Sequence, residues 1–265
     1  MPRIEISSID DPRIAAYRHL KESNATRREG LFVCEGAKLT RRLMESDFEV
    51  ASILVGERWA DEYVDVADIS PVYVTPDDLV EQIIGFNFHR GVLACGKRRP
   101  QLSVEQLCER LGKQAMLVVC PDVQDPENLG AILRIASAFG TDGMVLGDKT
   151  ADPFSRRVLR VSMGSCLRMP IAASAELTGD LQRLADRWRF ERWATVLDAD
   201  AMPLGQLPRP DRLALLFGSE GHGLDPDLID ICDRRVTIPM APGVDSLNVS
   251  VAAGIFLYEL ALHCR

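Results

Sequence analysis

The stretch Leu117–Arg134, "LVVCPDVQDPENLGAILR", passes from an apolar run into a polar loop and then into an apolar pattern with helical spacing. The opening LVVC is short, continuous and rich in valine, which predicts a buried strand. The loop after it is rich in Pro and Asp, and the closing NLGAILR predicts a helix that begins near Asn128. A buried strand, a short loop and a helix form the repeating unit of an α/β protein.

The same alternation of strands and helices extends on both sides of this stretch. It predicts a small N-terminal α/β domain over residues 1–96, a basic linker with a first helix over 97–112, and a larger α/β domain over 113–265. The last segment, Asn248–Cys264, is apolar on all sides and predicts a buried helix. In a parallel sheet, ligands bind where loops leave the carboxyl ends of strands, so these loops are the candidate site.

Composition and charge limit the class of protein. The chain has 265 residues, and 46% of them are hydrophobic, as in ordinary globular domains. Its formal net charge is −8. Its start has no apolar core typical of a signal peptide, and no apolar run reaches the roughly 18 residues of a membrane span. The seven Cys are scattered and share no ligand spacing with the four His. We therefore expect a cytoplasmic protein with reduced thiols, no membrane contact and no metal.

The negative charge is concentrated in residues 45–96, which carry eleven acidic and only two basic residues. Basic clusters remain elsewhere in the chain. Most charge runs are solvated faces, but a nucleic-acid backbone is bound through such clusters. The candidates for RNA contact are Arg27, Arg28, Lys38, Arg41, Arg42, Arg156, Arg157 and Arg160.

Two loops at predicted strand ends carry unusual residues. In the first, Gly130 allows close backbone approach at a helix N-terminus, and Asn128 either caps that helix or positions a ligand. The second, "LLFGSEGHGL" (Leu215–Leu224), has three glycines in six residues around Glu220. A tight turn needs fewer glycines, so a close ligand is indicated, whereas His222 is interpreted as a solvent-exposed turn residue.

The third loop, "IPMAPGVDSLNVSVAAG" (Ile238–Gly254), leads into the apolar C-terminal helix. Ser246 and Asn248 stand at the mouth of that helix, and on local grounds either could be its N-cap. The small residues that follow allow the helix to lie close to a neighbour. The local pattern therefore leaves open whether these polar residues only cap a helix or also bind a ligand.

Together the three loops resemble the signature motifs of the SpoU (TrmH) family, in the SPOUT superfamily of RNA methyltransferases. Asn128–Arg134 matches Asn-x-Gly-x-x-x-Arg, and Gly218–Gly223 matches Gly-x-Glu-x-x-Gly. Ile238–Met240 and Ser246–Ala252 match the third motif. The resemblance covers about residues 115–265, and the first hundred residues look like the small substrate-binding domain of rRNA-modifying members.

The resemblance implies transfer of a methyl group from S-adenosylmethionine to a ribose 2′-OH of RNA. It also implies a parallel-sheet catalytic domain with a C-terminal deep trefoil knot, and a homodimer formed through that domain. The catalytic residues that it implies are Asn128, Arg134, Glu220, Ser246 and Asn248. The cofactor-binding residues that it implies are Leu197, Phe217, Gly218, Glu220, Gly221, Ile238, Met240, Ser246, Leu247, Asn248, Val249 and Ala252.

Individual roles follow from the same resemblance. Because a guanidinium is not deprotonated in proteins, Arg134 is expected to orient the target phosphate and stabilise developing negative charge rather than act as a base. Asn128 would position Arg134 or the ribose, and Glu220 would belong to a polar wall around the reacting groups.

Several alternatives remain for the function. Ribosomal RNA, with guanosine weakly favoured, is preferred over tRNA because compact tRNA-modifying members often lack a separate first domain. A resistance-type rRNA methylase is a variant of the same reading. A non-catalytic RNA-binding protein is disfavoured because every motif position is intact. A nucleotide-dependent dehydrogenase is set aside because the glycine fingerprint is absent.

Overall fold

The computed structural model describes residues 3–18, 25–63, 70–84, 91–198, 200–241, 243 and 246–262. The chain forms two compact units, and the first is discontinuous in sequence. It consists of Met1–Pro100 together with Phe154–Arg168, and the second consists of Gln101–Pro153 together with Met169–Arg265. The sequence had placed residues 154–168 in the 113–265 domain, and the structure corrects that boundary.

The bounds of the regular elements are as follows. The helices are α1 Ala25–Arg28, α2 Ala37–Met44, α3 Asp77–Ile84, α4 Val104–Cys108, α5 Pro126–Ala138, α6 Arg156–Val161, α7 Leu177–Asp186, α8 Pro226–Asp230 and α9 Val249–Leu262. The strands are β1 Arg3–Glu5, β2 Leu31–Glu35, β3 Val50–Gly56, β4 Val72–Thr75, β5 Val92–Lys97, β6 Ala115–Cys120, β7 Gly143–Gly147, β8 Ile171–Ser174, β9 Glu191–Thr195, β10 Met202–Pro203, β11 Arg212–Leu216 and β12 Arg234–Thr237.

The first unit is built on a mixed five-stranded sheet in the order β1-β4-β3-β5-β2. Helix α6 belongs to the first unit because it packs on β2. The Phe154 ring, just before α6, also contacts two aromatic rings of this unit. Its centroid lies 5.2 Å from that of Phe32 and 5.3 Å from that of Phe48. Aromatic packing over this sequence distance has no local pattern, which is why the sequence misassigned the segment.

Most predicted strands and helices of the first unit are present, with two differences near the start of the chain. The segment predicted as a first helix, Ile14–Ser23, contains only the end of a 3₁₀ turn over Pro12–Tyr17, and its last residues lie outside the described part. The short strand β1 was not predicted, because three residues are too few to show a period.

The second unit is a seven-stranded sheet in the order β10-β12-β9-β11-β6-β7-β8, and every pair in it is parallel. The predicted α/β class with a parallel sheet is therefore confirmed. Since β12, β9, β11 and β6 are neighbours and parallel, the loops that follow them leave the same edge of the sheet. The motif residues lie in those loops or in the helices α5 and α9 that follow them, so the topology brings most of the candidate residues to one edge of the sheet.

The helix after β6 begins earlier than the sequence indicated. Asp125 is the N-cap of α5, its side chain accepts from the Glu127 N–H at 2.9 Å, and Pro126 occupies the first helical position. Asn128 is therefore not a cap but lies inside the first turn, buried, with 7% of its surface exposed. Its amide is left available for other partners.

The C-terminal helix α9 is apolar all round, as predicted, but only one of its faces is covered. Ala253, Phe256, Leu257 and Leu260 are buried, and α9 packs alongside α5. The opposite face carries a row of exposed apolar side chains, called the α9 stripe below. Its members are Val251, Ile255, Tyr258 and Leu262, exposed by 50%, 39%, 53% and 48%. The single chain leaves this face uncovered, and burial of the whole helix stays a prediction that depends on the expected homodimer.

Two features are absent from the described residues. No helix among them is long and apolar enough to cross a membrane. The described part of the chain also contains no group of three or more His, Cys, Asp or Glu side chains arranged to hold a metal ion.

Candidate active site

The loops after β9, β11 and β12, together with the first turns of α9, enclose a cavity of about 560 Å³. Its walls are both apolar and polar, which is usual for a small-molecule site of this size. All twelve predicted cofactor-binding residues line it: Leu197, Phe217, Gly218, Glu220, Gly221, Ile238, Met240, Ser246, Leu247, Asn248, Val249 and Ala252. Residues that the sequence did not single out for the cofactor also line it: Thr195, Val196, Ser219, His222, Gly223, Leu224, Ile229 and Phe256.

The missed lining residues have different origins. Thr195 is the last residue of β9, and its hydroxyl donates to the Leu216 carbonyl at 2.7 Å, so it ties two strand ends together. Phe256 lies two turns into α9 and packs its ring 5.8 Å from that of Phe217. Neither residue belongs to one of the sequence motifs. A listing of all strand-end residues would have found Thr195, but only the packing of α9 reveals Phe256.

Three polar side chains from three different loops meet beside this cavity. The Asn128 amide donates from Nδ2 to Oε1 of Glu220 at 2.8 Å. The Asn248 amide donates from Nδ2 to Oδ1 of Asn128 at 2.9 Å. Asn128 thus joins the loop after β11 to the start of α9, although the three residues are far apart in sequence.

The hydrogen bonds of Asn248 show which residue caps α9. Its Oδ1 accepts the backbone N–H of Ser250 at 2.9 Å and that of Val251 at 3.4 Å, and the Ser250 hydroxyl at 2.6 Å. These bonds satisfy N–H groups that a helix start leaves without partners. Asn248 is therefore the cap and Ser246 is not, and one amide both caps the helix and contacts the site.

The loop after β11 is folded tightly, and two of its glycines differ in what they allow. Ser219 and Gly223 exchange backbone hydrogen bonds of 2.9 and 3.1 Å, so Glu220, Gly221 and His222 form the tip between them. A Cβ at Gly218 would lie 2.1 Å from the Gly223 carbonyl carbon, whereas a Cβ at Gly221 would meet no atom within 4 Å. Gly218 is thus required for the fold of the loop, and Gly221 leaves open space at the cavity.

Arg134 lies outside this cavity in the single chain. It is exposed on α5, it does not line the cavity, and no side chain among the described residues hydrogen bonds with it. Asn128 lies six residues earlier, about 120° away around the helix at 3.6 residues per turn. The Asn128 amide bonds to Glu220 and Asn248, so its predicted role in positioning Arg134 or the ribose stays a prediction.

Glu220 and His222 are the titratable side chains among the lining residues. A cysteine also lies nearby, at the end of β6. Burial, with a smaller contribution from the charge of Glu220, raises the pKa of Cys120 to about 12. A thiol with such a pKa remains protonated near neutral pH and is a poor nucleophile, so a covalent intermediate on this sulfur is not favoured.

The basic residues proposed to contact RNA lie in the first unit and are not equivalent. Arg42 is half-buried and donates to the main-chain carbonyl of Met163. Arg156 is 3.9 Å from a carboxylate oxygen of Glu35, whose side chain is 8% exposed. Arg160 is half-buried, while five others are exposed: Arg27, Arg28, Lys38, Arg41 and Arg157. Arg42 and Arg156 therefore stabilise this unit from within, and the exposed group is the better candidate for phosphate contact.

Comparison with known proteins places this site in a family. An uncharacterized tRNA/rRNA methyltransferase of Mycobacterium bovis is 34% identical over 264 residues, covering 96% of this chain and 90% of the relative. The 23S rRNA (guanosine(2553)-2′-O)-methyltransferase of Bacillus subtilis is 28% identical over 97% of this chain and 98% of its own. The crystal structure of an AdoMet-bound rRNA methyltransferase from Sinorhizobium meliloti has a TM-score of 0.85, with 27% identity and 98% of both chains covered. The SpoU rRNA Methylase family model matches residues 115–258. The predicted resemblance is thereby confirmed, and the chain belongs to the SpoU rRNA Methylase family.

Proposed function

We propose that this protein transfers the methyl group of S-adenosylmethionine to a ribose 2′-OH of ribosomal RNA. Membership of the family makes it an RNA methyltransferase, and S-adenosylmethionine is the cofactor, in keeping with the AdoMet-bound neighbour. The observation that carries the proposal is the meeting of Asn128, Glu220 and Asn248 beside one cavity. These are motif residues from three loops, and they meet where a parallel sheet binds its ligands.

The residues that line the cavity fit this cofactor. Phe217, Ile238 and Leu247 offer apolar surface for a flat base, and Gly218 and Gly221 present backbone without side chains. Glu220 brings a carboxylate to the same cavity, and its negative charge favours the binding of a positively charged ligand. When bound, the cofactor supplies an electrophilic methyl group on a sulfonium sulfur.

Methyl transfer to a hydroxyl requires that the oxygen lie on the axis of the methyl–sulfur bond and that its proton have a route away. Positioning of the target nucleotide is therefore the main task of the protein. We assign to Arg134 the binding of the target phosphate and the stabilisation of negative charge that develops on the ribose oxygen. A fixed cation with five donors suits a phosphate.

A homodimer through the second unit is part of this proposal. The α9 stripe exposes four large apolar side chains in a row, and such contiguous surface marks a protein–protein contact. The Tyr258 ring of the stripe lies 5.8 Å from that of Phe139, directly after α5, and Arg134 is exposed on α5, so a second copy that covers the stripe also approaches this helix. The guanidinium then serves the cavity of the partner, which accounts for its absence from its own.

Mixed dimers test this arrangement. Arg134→Ala and Glu220→Gln chains should each be inactive as homodimers, while a mixture should regain activity because one of its two sites is intact. No recovery in a mixture shown to contain heterodimers would mean that both residues act within one chain. Introducing a charge in the α9 stripe (Tyr258→Glu) should yield monomers in sedimentation experiments.

The C-terminal trefoil knot is also proposed for this chain. Its support is the membership of the SpoU rRNA Methylase family. A cytoplasmic location is proposed from the rRNA-modifying relatives.

Ribosomal RNA is the preferred substrate because the match to the Bacillus subtilis 23S enzyme spans both units of this chain. Guanosine is the preferred target nucleoside because that relative is named as a guanosine 2′-O-methyltransferase. The decisive experiment maps 2′-O-methyl groups in total RNA from cells with and without the gene, and then restores the modification with purified protein. Loss of a single rRNA site supports the proposal; a lost tRNA site selects the alternative, and no lost site contradicts both.

A further inference from the structure

The start of α9 fixes the direction of the hydrogen bonds that reach Glu220. Asn248 Oδ1 accepts three donors, two of them backbone N–H groups of the helix. Turning this amide over would place its N–H₂ group against those donors, so Nδ2 must point toward Asn128. The Asn128 amide is oriented in turn, because its Oδ1 accepts from Asn248 and its Nδ2 is left to face Glu220.

This fixed direction has a consequence for the carboxyl group. Oε1 of Glu220 accepts the Asn128 N–H, so this oxygen is held in place as a hydrogen-bond acceptor. Its second oxygen, Oε2, has no hydrogen-bond partner among the described residues, and the side chain lines the cavity. A carboxylate with one anchored and one available oxygen is arranged as a proton acceptor.

We propose that Glu220 accepts the proton of the ribose hydroxyl, and that Asn248 and Asn128 are positioning residues that hold it in the acceptor state. This inference rests on the proposed function. The bond from the methyl carbon to the 2′-oxygen forms as the carbon–sulfur bond breaks. Sulfur takes the electron pair and becomes a neutral thioether, and the hydroxyl proton passes to Oε2. Water then removes that proton from the carboxylic acid.

The competing acceptors on the cavity are few. A guanidinium cannot serve, which excludes Arg134. His222 is the other titratable residue among the described lining residues, and it shares the loop tip with Glu220. The ionisable groups on the adjoining elements and loops include Cys120, Asp122, Asp125, Glu127, Arg134, Asp198, His222, Asp225, Asp227 and Asp230.

The sharpest test is Asn248→Asp, an exchange that keeps the helix cap, because Asp caps as well as Asn does, but removes the donor. Asn128 must then turn its amide toward the new carboxylate and present Oδ1 to Glu220, which favours the protonated acid. We expect kcat to fall at least tenfold at pH 7 and the acid limb of the pH–rate profile to move to higher pH. The control Asp225→Asn makes the opposite exchange at the cap of α8 and should leave the profile in place.

Glu220→Gln shows whether the carboxylate is the acceptor. Removing a general base costs roughly 10²–10⁴-fold, so kcat should fall by that factor. Cofactor affinity, measured by calorimetry, should fall by less, because Gln keeps the shape of the side chain and only its charge is lost. The acid limb should disappear in Glu220→Gln and remain in His222→Gln. The reverse pattern would overturn the proposal and make His222 the acceptor.

A double variant separates positioning from structural damage. If Asn248 acts through Glu220, then Asn248→Asp adds nothing to the loss already caused by Glu220→Gln. Additive losses would mean that Asn248 matters independently, and the relay would be wrong. A wild-type protein that binds the cofactor but methylates no RNA would instead refute the proposed function, so the two failures are distinguishable.

Discussion

The loops at the edge of the parallel sheet and the basic clusters of the first unit were both selected from sequence, but they have different outcomes. Asn128, Glu220 and Asn248 converge, and their amides and carboxylate are directly bonded. The basic residues separate into exposed ones such as Arg41 and internal ones such as Arg42. The sheet brings motif residues at its strand ends together. Charged residues that are only adjacent in sequence have no such constraint on where their side chains lie.

The largest effect is expected at Gly218, inside the converging loops. Gly218→Ala would place a Cβ 2.1 Å from backbone of Gly223, so the loop must open. We expect cofactor binding to weaken at least a hundredfold in calorimetry and unfolding to become easier by about 1–3 kcal/mol. Gly221→Ala is the matched control for stability, because its Cβ meets no atom within 4 Å. Equal melting temperatures for the two variants would contradict this account of the loop.

Arg42→Ala should act on stability rather than on RNA. Its guanidinium donates to the Met163 carbonyl, and the loss of a half-buried charged donor costs about 1.5–3 kcal/mol. Denaturant unfolding should show a lower midpoint for this variant than for Arg41→Ala. If instead Arg42→Ala unfolds like the wild type and binds RNA weakly, the residue belongs to the RNA-binding surface after all.

Arg41→Ala should act on RNA rather than on stability. Arg41 is exposed on α2, and one lost phosphate contact lowers the slope of log K against log salt by about 1. Filter binding across a salt series should show a several-fold weaker affinity at low salt and an unchanged cofactor affinity. An unaltered slope would remove Arg41 from the RNA-binding surface.

The smallest effect concerns acid stability at the edge of the second sheet. Burial raises the pKa of Asp233, but the bonds from the Arg192 guanidinium, 3.0 Å to each carboxylate oxygen, lower it more, and the net pKa is lowered. Because the folded pKa is depressed, this stabilisation is present above the unfolded pKa of about 3.9 and is lost as pH falls through the folded value. Asp233→Asn should cost under about 1 kcal/mol at pH 7, since the carboxylate is 39% exposed, and less below pH 4. If the unfolding midpoints of Asp233→Asn and the wild type differ by the same amount at every pH, this prediction is contradicted.

Sequence reasoning reached the α/β class, the parallel sheet and the family, because strands, caps and loop motifs are local patterns. It placed the start of α5 at Asn128, although Asp125 followed by Pro126 is a recognisable start. It could not tell which face of α9 is covered, since an all-apolar helix has no polar face to mark solvent. The direction of the Asn248–Asn128–Glu220 bonds depends on contacts between residues about a hundred positions apart, and no local pattern contains it.

The aromatic contact of Phe154 with Phe32 and Phe48 bears on how this gene can be recombined. A crossover after Pro100 would transfer a first unit that lacks Phe154–Arg168, and the recipient would have to supply its own matching segment. Exchange of the first unit between relatives therefore requires two coordinated replacements. Chimeras that exchange both segments should fold, whereas those that exchange only the first hundred residues should aggregate.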